Sequence, residues 1–242
     1  MKKFTNILKW TLLLGYFPVM MVLVSFKNHD LVCSNVEVGV TDSLTTSFIT
    51  GTEIRRLVLK HFPEVLGAPV HEIDFEAIEA DVEKHPAIKN CQVYNNAYGT
   101  LNVKVTQHEP IVRVFNGNQS FYLDEDGVQI PVSGRFSARV LVVNGRIPSN
   151  REELIQVARF ITGDPFWNAQ MEQIYIRRNG DYILVPRVGE HLILLGSAER
   201  LEEKMDNLML LYQQLDPKKW NSYKTINLKF KNQVVCSKSN DF

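Results

Sequence analysis

The sequence predicts an α+β fold: a single N-terminal transmembrane helix, then a small domain of order β-α-α-β-β, then a C-terminal β domain of mostly antiparallel strands with flanking helices. Three observations carry this reading. Residues 10–26, WTLLLGYFPVMMVLVSF, are seventeen uncharged residues in a row. Residues 101–106 alternate Leu101, Val103 and Val105 against Asn102, Lys104 and Thr106, the period-two pattern of a strand with one wet face. Beyond Pro110, short apolar runs are separated by turn dipeptides at Asp126-Gly127, Asn144-Gly145 and Asn179-Gly180. A strand wet on one side belongs to an antiparallel sheet or to a small sheet covered by helices on one face. The doubly covered sheet of a large α/β enzyme is thereby disfavoured.

The apolar run from Trp10 to Phe26, extended backwards by Ile7, Leu8 and a snorkelling Lys9, reaches about 20 residues and roughly 30 Å of helix, enough to span a bilayer. Pro18 is compatible, because neighbours or water satisfy the carbonyl it frees. A cleaved signal peptide is the rival reading, but SFKNHDLVCS downstream has no small-x-small site, and Cys33 follows Asp30 and Val32 rather than small residues. Lys2, Lys3 and Lys9 precede the span and only Lys27 closely follows it, so the N-terminus is expected in the cytoplasm and the rest outside. The expected division is a cytoplasmic tail 1–9, a membrane helix 10–26, a small domain 33–112, a β domain 113–236 and a polar tail 237–242.

Four of the 27 basic and one of the 27 acidic residues lie within the first thirty, which leaves the exported part at −3. Nucleic acid is an unsuitable partner for that charge. Cys33, Cys91 and Cys236 are odd in number and far apart, neither a disulfide framework nor a metal-site spacing, and read as one buried Cys91 and two peripheral thiols.

Along the exported part, Val36, Val38 and Val40 alternate in a first strand. Thr50 to Glu53 starts a helix carrying Ile54, Leu57 and Val58, and Asp74 caps a second with Phe75, Ile78 and Val82. Pro86 closes that helix. Ile88, Cys91 and Val93 form a strand whose phase slips at its start, NNAYG turns the chain, and residues 99–115 supply the third strand, which ends at Pro110. In the second part, FYLDEDGVQIP and IYIRRNGDYILVP are hairpins and ARVLVVNG is a strand. Ser149 to Glu152 reads as a capping box before ELIQVARFI. A helix over ERLEEKMDNLMLLYQQL stacks Leu201, Met205, Leu208, Tyr212 and Leu215 on one stripe, as a cover for its own sheet rather than a two-heptad coiled coil. TINLKFKNQVV is the final strand, with Ile226, Leu228 and Phe230 inward and Asn227, Lys229 and Lys231 outward.

No catalytic constellation is legible. Asp124 to Gly127 lacks the further acidic ligands of a calcium loop and reads as a turn. His71-Glu72 and His108-Glu109 each lack the second histidine of a zinc helix, and Cys91 alternates onto a core face, where a thiol is not a nucleophile. There is no nucleophile elbow and no glycine-rich phosphate loop. No cofactor, metal, small-molecule substrate or enzymatic activity is expected.

In their succession these residues resemble the FtsQ/DivIB cell-division proteins, which have a short cytoplasmic tail, one membrane helix, a POTRA domain and a C-terminal β domain. The marker positions are Pro86, Ile88, Cys91 and Val93, then Leu101, Val103 and Val105, then Pro110 with Ile111, Val112 and Arg113; Asp124 to Gly127 and INLKF follow. Two departures stand out: Gln107 replaces the family's usual Glu three residues before the proline, and Asn227-Leu228-Lys229-Phe230 replaces its Asp-Leu-Arg-Tyr. The lysine keeps the charge without the planar fork, and the phenylalanine drops the hydroxyl.

The resemblance implies a non-enzymatic divisome scaffold in the inner membrane at the septum. It implies FtsB- and FtsL-like single-pass partners, an influence on septal peptidoglycan synthases, and a partner strand added to the last strand. That would engage Thr225, Ile226, Asn227, Leu228, Lys229, Phe230 and Lys231, with Asn227 and Lys229 facing the partner. The membrane anchor would run from Trp10 through Pro18 to Phe26. A POTRA-bearing transport or chaperone component and an anchored envelope hydrolase are the other classes weighed. The first lacks a barrel-like run of long alternating strands, and the second lacks any nucleophile or metal set.

Overall fold

The structure, a computed structural model, describes residues 10–21, 31–41, 47–215 and 217–238. Residues 10–21 form a helix, α1, whose apolar side chains from Trp10 to Met21 are largely exposed. Trp10 and Pro18 lie on it, whereas Phe26 and the rest of the expected span lie outside the described residues. Among the described residues no helix is long and apolar enough to cross a membrane.

The chain divides into two units, Met1–Gln107 and His108–Phe242. In the first, β1 (Asn35–Thr41), α2 (Gly51–His61), α3 (Phe75–Val82), β2 (Ile88–Asn95) and β3 (Thr100–Gln107) follow the expected β-α-α-β-β order. The sheet order is β1-β3-β2, with β1 parallel and β2 antiparallel to β3. Local chemistry explains each boundary. Thr50 and Glu53 complete a reciprocal capping box on α2, and Asp74 accepts the Ala77 N–H to start α3. The register of β2 against β3 shifts between Ile88 and Asn90, the expected slip. At the β2–β3 turn, Asn96 Oδ1 accepts the N–H groups of Tyr98 and Thr100, and Gly99 takes φ +76°, open to glycine at no steric cost.

The core of this unit packs Ile54 and Val58 of α2 and Ile78 and Val82 of α3 against Val36, Cys91, Val93, Leu101, Val103 and Val105. Gln107 is buried because its Oε1 accepts the N–H groups of Phe48 and Ile49 at 2.9 and 3.1 Å, tying the end of β3 to the segment before α2. One expectation fails here. Cys33 is not peripheral but 1% exposed. Its N–H bonds to Ala68 O while its C=O accepts from Gly67, so the loop before the second helix covers it. The third strand also ends earlier than read, at Gln107, and Pro110 opens the next strand instead. A first position is where a strand tolerates a residue without an N–H.

The second unit contains β4 (Pro110–Asn116), β5 (Gln119–Asp124), β6 (Gln129–Pro131), β7 (Leu141–Gly145), α4 (Glu152–Gly163), α5 (Pro165–Gln170), β8 (Met171–Ile176), β9 (Tyr182–Pro186), β10 (Leu192–Gly196), α6 (Leu201–Gln214), β11 (Tyr223–Asn227) and β12 (Val235–Lys238). They form a nine-stranded sheet ordered β12-β11-β10-β9-β8-β7-β4-β5-β6. The pairs β4–β7, β7–β8 and β10–β11 are parallel and the remaining five antiparallel. Two parallel neighbours require long crossovers, and the helices supply them: α4 and α5 between β7 and β8, α6 between β10 and β11. Leu154, Val157, Ala158 and Ile161 of α4 and Leu201, Met205, Leu208 and Tyr212 of α6 join the sheet residues in one buried cluster.

Three local readings change. The expected Ser149 capping box is absent from the start of α4: Arg151 holds the N-cap position without a side-chain cap, and Asn150 Oδ1 accepts the Glu152 N–H at 3.0 Å. α5 and β10 were not foreseen. Asp164 caps α5 by accepting from Phe166 and Trp167, followed by Pro165 at the first position. Most consequential, TINLKFKNQVV is not one strand. β11 stops at Asn227, whose Oδ1 accepts the Lys229 N–H at 3.0 Å, an Asx turn that competes with the ladder. Asn232 then takes φ +57°, the chain reverses, and β12 returns along β11. Phe230, read as inward, is 48% exposed.

Candidate functional site

The C-terminal edge of the large sheet is built from β10, β11 and β12. β11 is occupied on both sides: Leu192, Ile193 and Leu194 lie in parallel register with Thr225, Ile226 and Asn227, and Asn227, Ile226 and Thr225 face Val235, Cys236 and Ser237 across the antiparallel pair. Leu228 N donates to Leu194 O at 3.0 Å, prolonging the β10 contact past the end of the strand. Ile226 and Leu228 are buried in the core. From Thr225 to Leu228 the main chain of the expected partner-binding segment is therefore already bonded to its own neighbours. β12 closes the sheet order and, among the described residues, pairs with β11 alone.

The side chains follow the same logic. Asn227 serves the Lys229 backbone, and Lys229 Nζ reaches Asp181 Oδ2 at 2.9 Å, an ion pair to the β8–β9 turn. Asp181 is held below the usual carboxylate range by this lysine, with Asn179 helping. The stem of Lys229 crosses Gly196, where an added Cβ would sit 2.8 Å from Lys229 Cδ. Lys231 lies in the turn. So Asn227 and Lys229, expected to face a partner, also fix the end of β11. The Thr225 and Ser237 hydroxyls bond across the β11–β12 pair. Val235, Ser237 and Lys238 are exposed, and Cys236 is half-buried with its thiol pushed up by burial.

Sequence reasoning missed β12, although a signal was present. Lys231-Asn232 is a turn pair, and the apolar Val234-Val235 behind it restarts an extended run.

The marker positions lie where a packing role puts them. Ile88, Cys91, Val93, Leu101, Val103 and Val105 are buried in the first unit, Pro86 lies exposed in the turn before β2, and Pro110 is buried at the start of β4. Arg113 donates to the Ser120 and Ser137 hydroxyls at 3.1 Å each and lies over the rings of Phe115 and Tyr122. The Cys91 thiol is pushed up to about 12, chiefly by burial and further by Glu79 and Glu83.

Chemistry-bearing groups elsewhere are engaged in structure. Asp124 Oδ1 accepts the N–H groups of Asp126 and Val128, and its Oδ2 lies 2.6 Å from His108 Nδ1. His191 Nε2 lies 2.7 Å from the Tyr212 hydroxyl, inside an aromatic group with Trp220 stacked on Tyr212. Among the described residues no three His, Cys, Asp or Glu side chains group as metal ligands. An edge strand can pair with an extended polypeptide through its outer backbone groups, and β12 stands at the end of the sheet order.

Residues 109–237 match the family model described as FtsQ/DivIB, C-terminal related, and residues 31–106 match a POTRA-like domain. No curated protein matches the chain.

Proposed function

The chain belongs to the FtsQ/DivIB family of cell-division proteins, and from that premise we propose that it is a non-enzymatic divisome scaffold that binds partners through its extracytoplasmic units. Residues 10–26 anchor it in the inner membrane with the N-terminus in the cytoplasm. FtsB- and FtsL-like single-pass proteins are its partners, and through them it influences septal peptidoglycan synthases. The observation that supports this reading most is the order of the two matched stretches, a POTRA-like domain followed by the FtsQ/DivIB C-terminal region. The partner adds a strand to the outer side of β12 and not to residues 225–231, because both sides of β11 are already paired.

Two measurements test it. A fluorescent fusion at the cytoplasmic N-terminus should band at the division site; uniform envelope fluorescence would shift the assignment to transport or chaperoning. For the edge, successive residues of an antiparallel strand direct their N–H groups alternately to the two sides, so proline at Cys236 or at Ser237 removes one outward donor. One of the two variants should remain folded and lose partner co-purification at least tenfold. If both remain folded and both co-purify normally, strand addition at β12 is wrong. Leu228→Pro is unsuitable, because the N–H it deletes holds Leu194.

A further inference from the structure

The outer edge of β2 is occupied by side chains of its own unit. Glu79 Oε1 accepts the Val93 N–H at 2.6 Å and Glu83 Oε1 accepts the Cys91 N–H at 2.8 Å. These are two successive outward donors, since alternate residues of a strand in an antiparallel pair point away from the partner. The fit is a matter of pitch. Four residues of helix rise about 6 Å and two residues of strand about 6.8 Å, so carboxylates at i and i+4, Glu79 in α3 and Glu83 at its C-cap, running antiparallel to β2, meet N–H groups at i and i+2.

The opposite edge shows the complementary arrangement. Arg55 Nε of α2 donates to Val36 O of β1 at 3.0 Å, its guanidinium also reaches Asn35 Oδ1 at 3.2 Å, and one helical turn earlier Gly51 lies so close that a Cβ would sit 3.2 Å from Val38 O. Carboxylates thus cover two outward donors of one edge, and a guanidinium covers an outward acceptor of the other.

We propose that Glu79 and Glu83 lock the β2 edge against strand addition, so that the small sheet accepts no extended polypeptide until the two side-chain acceptors are removed. A charged side chain over an edge is a known means of blocking edge-to-edge pairing, and here it also satisfies the backbone it covers. Ionised carboxylates make short, strong bonds to N–H groups, so an incoming carbonyl must displace them before it pairs. The lock does not depend on the division role and stands or falls apart from it.

The test uses the full chain in detergent micelles. The probe is a fluorescein-labelled peptide of residues 100–107, TLNVKVTQ, the strand that β2 already pairs with antiparallel. The parent and the Glu79→Gln/Glu83→Gln variant, which keeps an acceptor oxygen at each position, should show no saturable anisotropy change. Glu79→Ala/Glu83→Ala should bind saturably, at a peptide concentration at least tenfold below the highest one that leaves the parent unbound. In parallel, hydrogen exchange at the Cys91 and Val93 amides should accelerate at least tenfold in the alanine variant while the Val103 and Val105 amides stay protected. Should the double variant unfold, Glu83→Ala alone, at an exposed position, should speed exchange at Cys91 and leave Val93 slow. Equal peptide binding by parent and alanine variant, or unchanged exchange at both amides, would overturn the lock.

Discussion

His108 Nδ1 lies 2.6 Å from Asp124 Oδ2, and the other oxygen of that carboxylate takes the N–H groups of Asp126 and Val128 at 2.9 and 2.7 Å. Asp124 is 1% exposed, so the pair ties the residue at the start of the second unit to the β5–β6 turn from inside the protein. The acidic run that superficially suggests a cation loop is a turn organised by its first carboxylate.

Asp124→Ala leaves two N–H groups and an imidazole without their acceptor. It should lower the stability of the second unit by about 2–4 kcal/mol in urea unfolding, whereas Asp126→Ala, on the exposed side of the turn, should cost under about 1 kcal/mol. A similar, small loss for both would show that the carboxylate does not organise the turn.

His191 is buried, and burial holds its pKa below the ordinary histidine value. The unfolded chain therefore binds the proton more readily. The contribution is present in full above about pH 6.5 and is lost as pH falls below that towards the folded-state value. The urea midpoint should drop between pH 7.5 and pH 5, and His191→Gln, which keeps a hydrogen-bonding group for Tyr212, should reduce the drop. His85, likewise lowered by burial, leaves a residual slope of the same sign.

Gly145 takes φ +96°, and a Cβ there would sit 2.1 Å from Ile176 O. Gly145→Ala should destabilise the second unit by about 2 kcal/mol or more, read as a lower urea midpoint, while Gly134→Ala, with open space around it, should change little.

Cys33 and Cys91 are buried and the Cys91 thiol is pushed up to about 12, whereas Cys236 is half-buried on β12. At pH 8 a thiol reagent should modify Cys236, slowly, and reach all three cysteines only in denaturant. If strand addition at β12 holds, a bound partner should slow the Cys236 reaction further.

Much of the first unit was legible because each element carries its own local signal. Thr50 with Glu53, Asp74, the alternation of Leu101, Val103 and Val105, and the slip at the start of β2 are short-range features, set by capping geometry and side-chain period. The candidate edge was less legible. Val36 and Cys33 show where the limit lies: Val36 is buried within a strand whose alternation is legible, while Cys33, outside any periodic run, is buried where the Gly67–Ala68 loop bonds over it.

The sequence by itself determined the order of elements in the small domain, the hairpins at Asp126-Gly127 and Asn179-Gly180, the helix stripe of Leu201, Met205, Leu208 and Tyr212, and the resemblance that led to the family. These depend on neighbours within a few residues, where backbone sterics and periodicity act. Only the tertiary structure decided that β11 is sandwiched between β10 and β12, that Lys229 is drawn to Asp181 rather than left for a partner, and that Glu79 and Glu83 reach across to the β2 edge. Whether a strand ends at an edge depends on hydrogen bonds between residues distant in the chain, such as Leu194 with Leu228, and no local pattern encodes which backbone will arrive to make them.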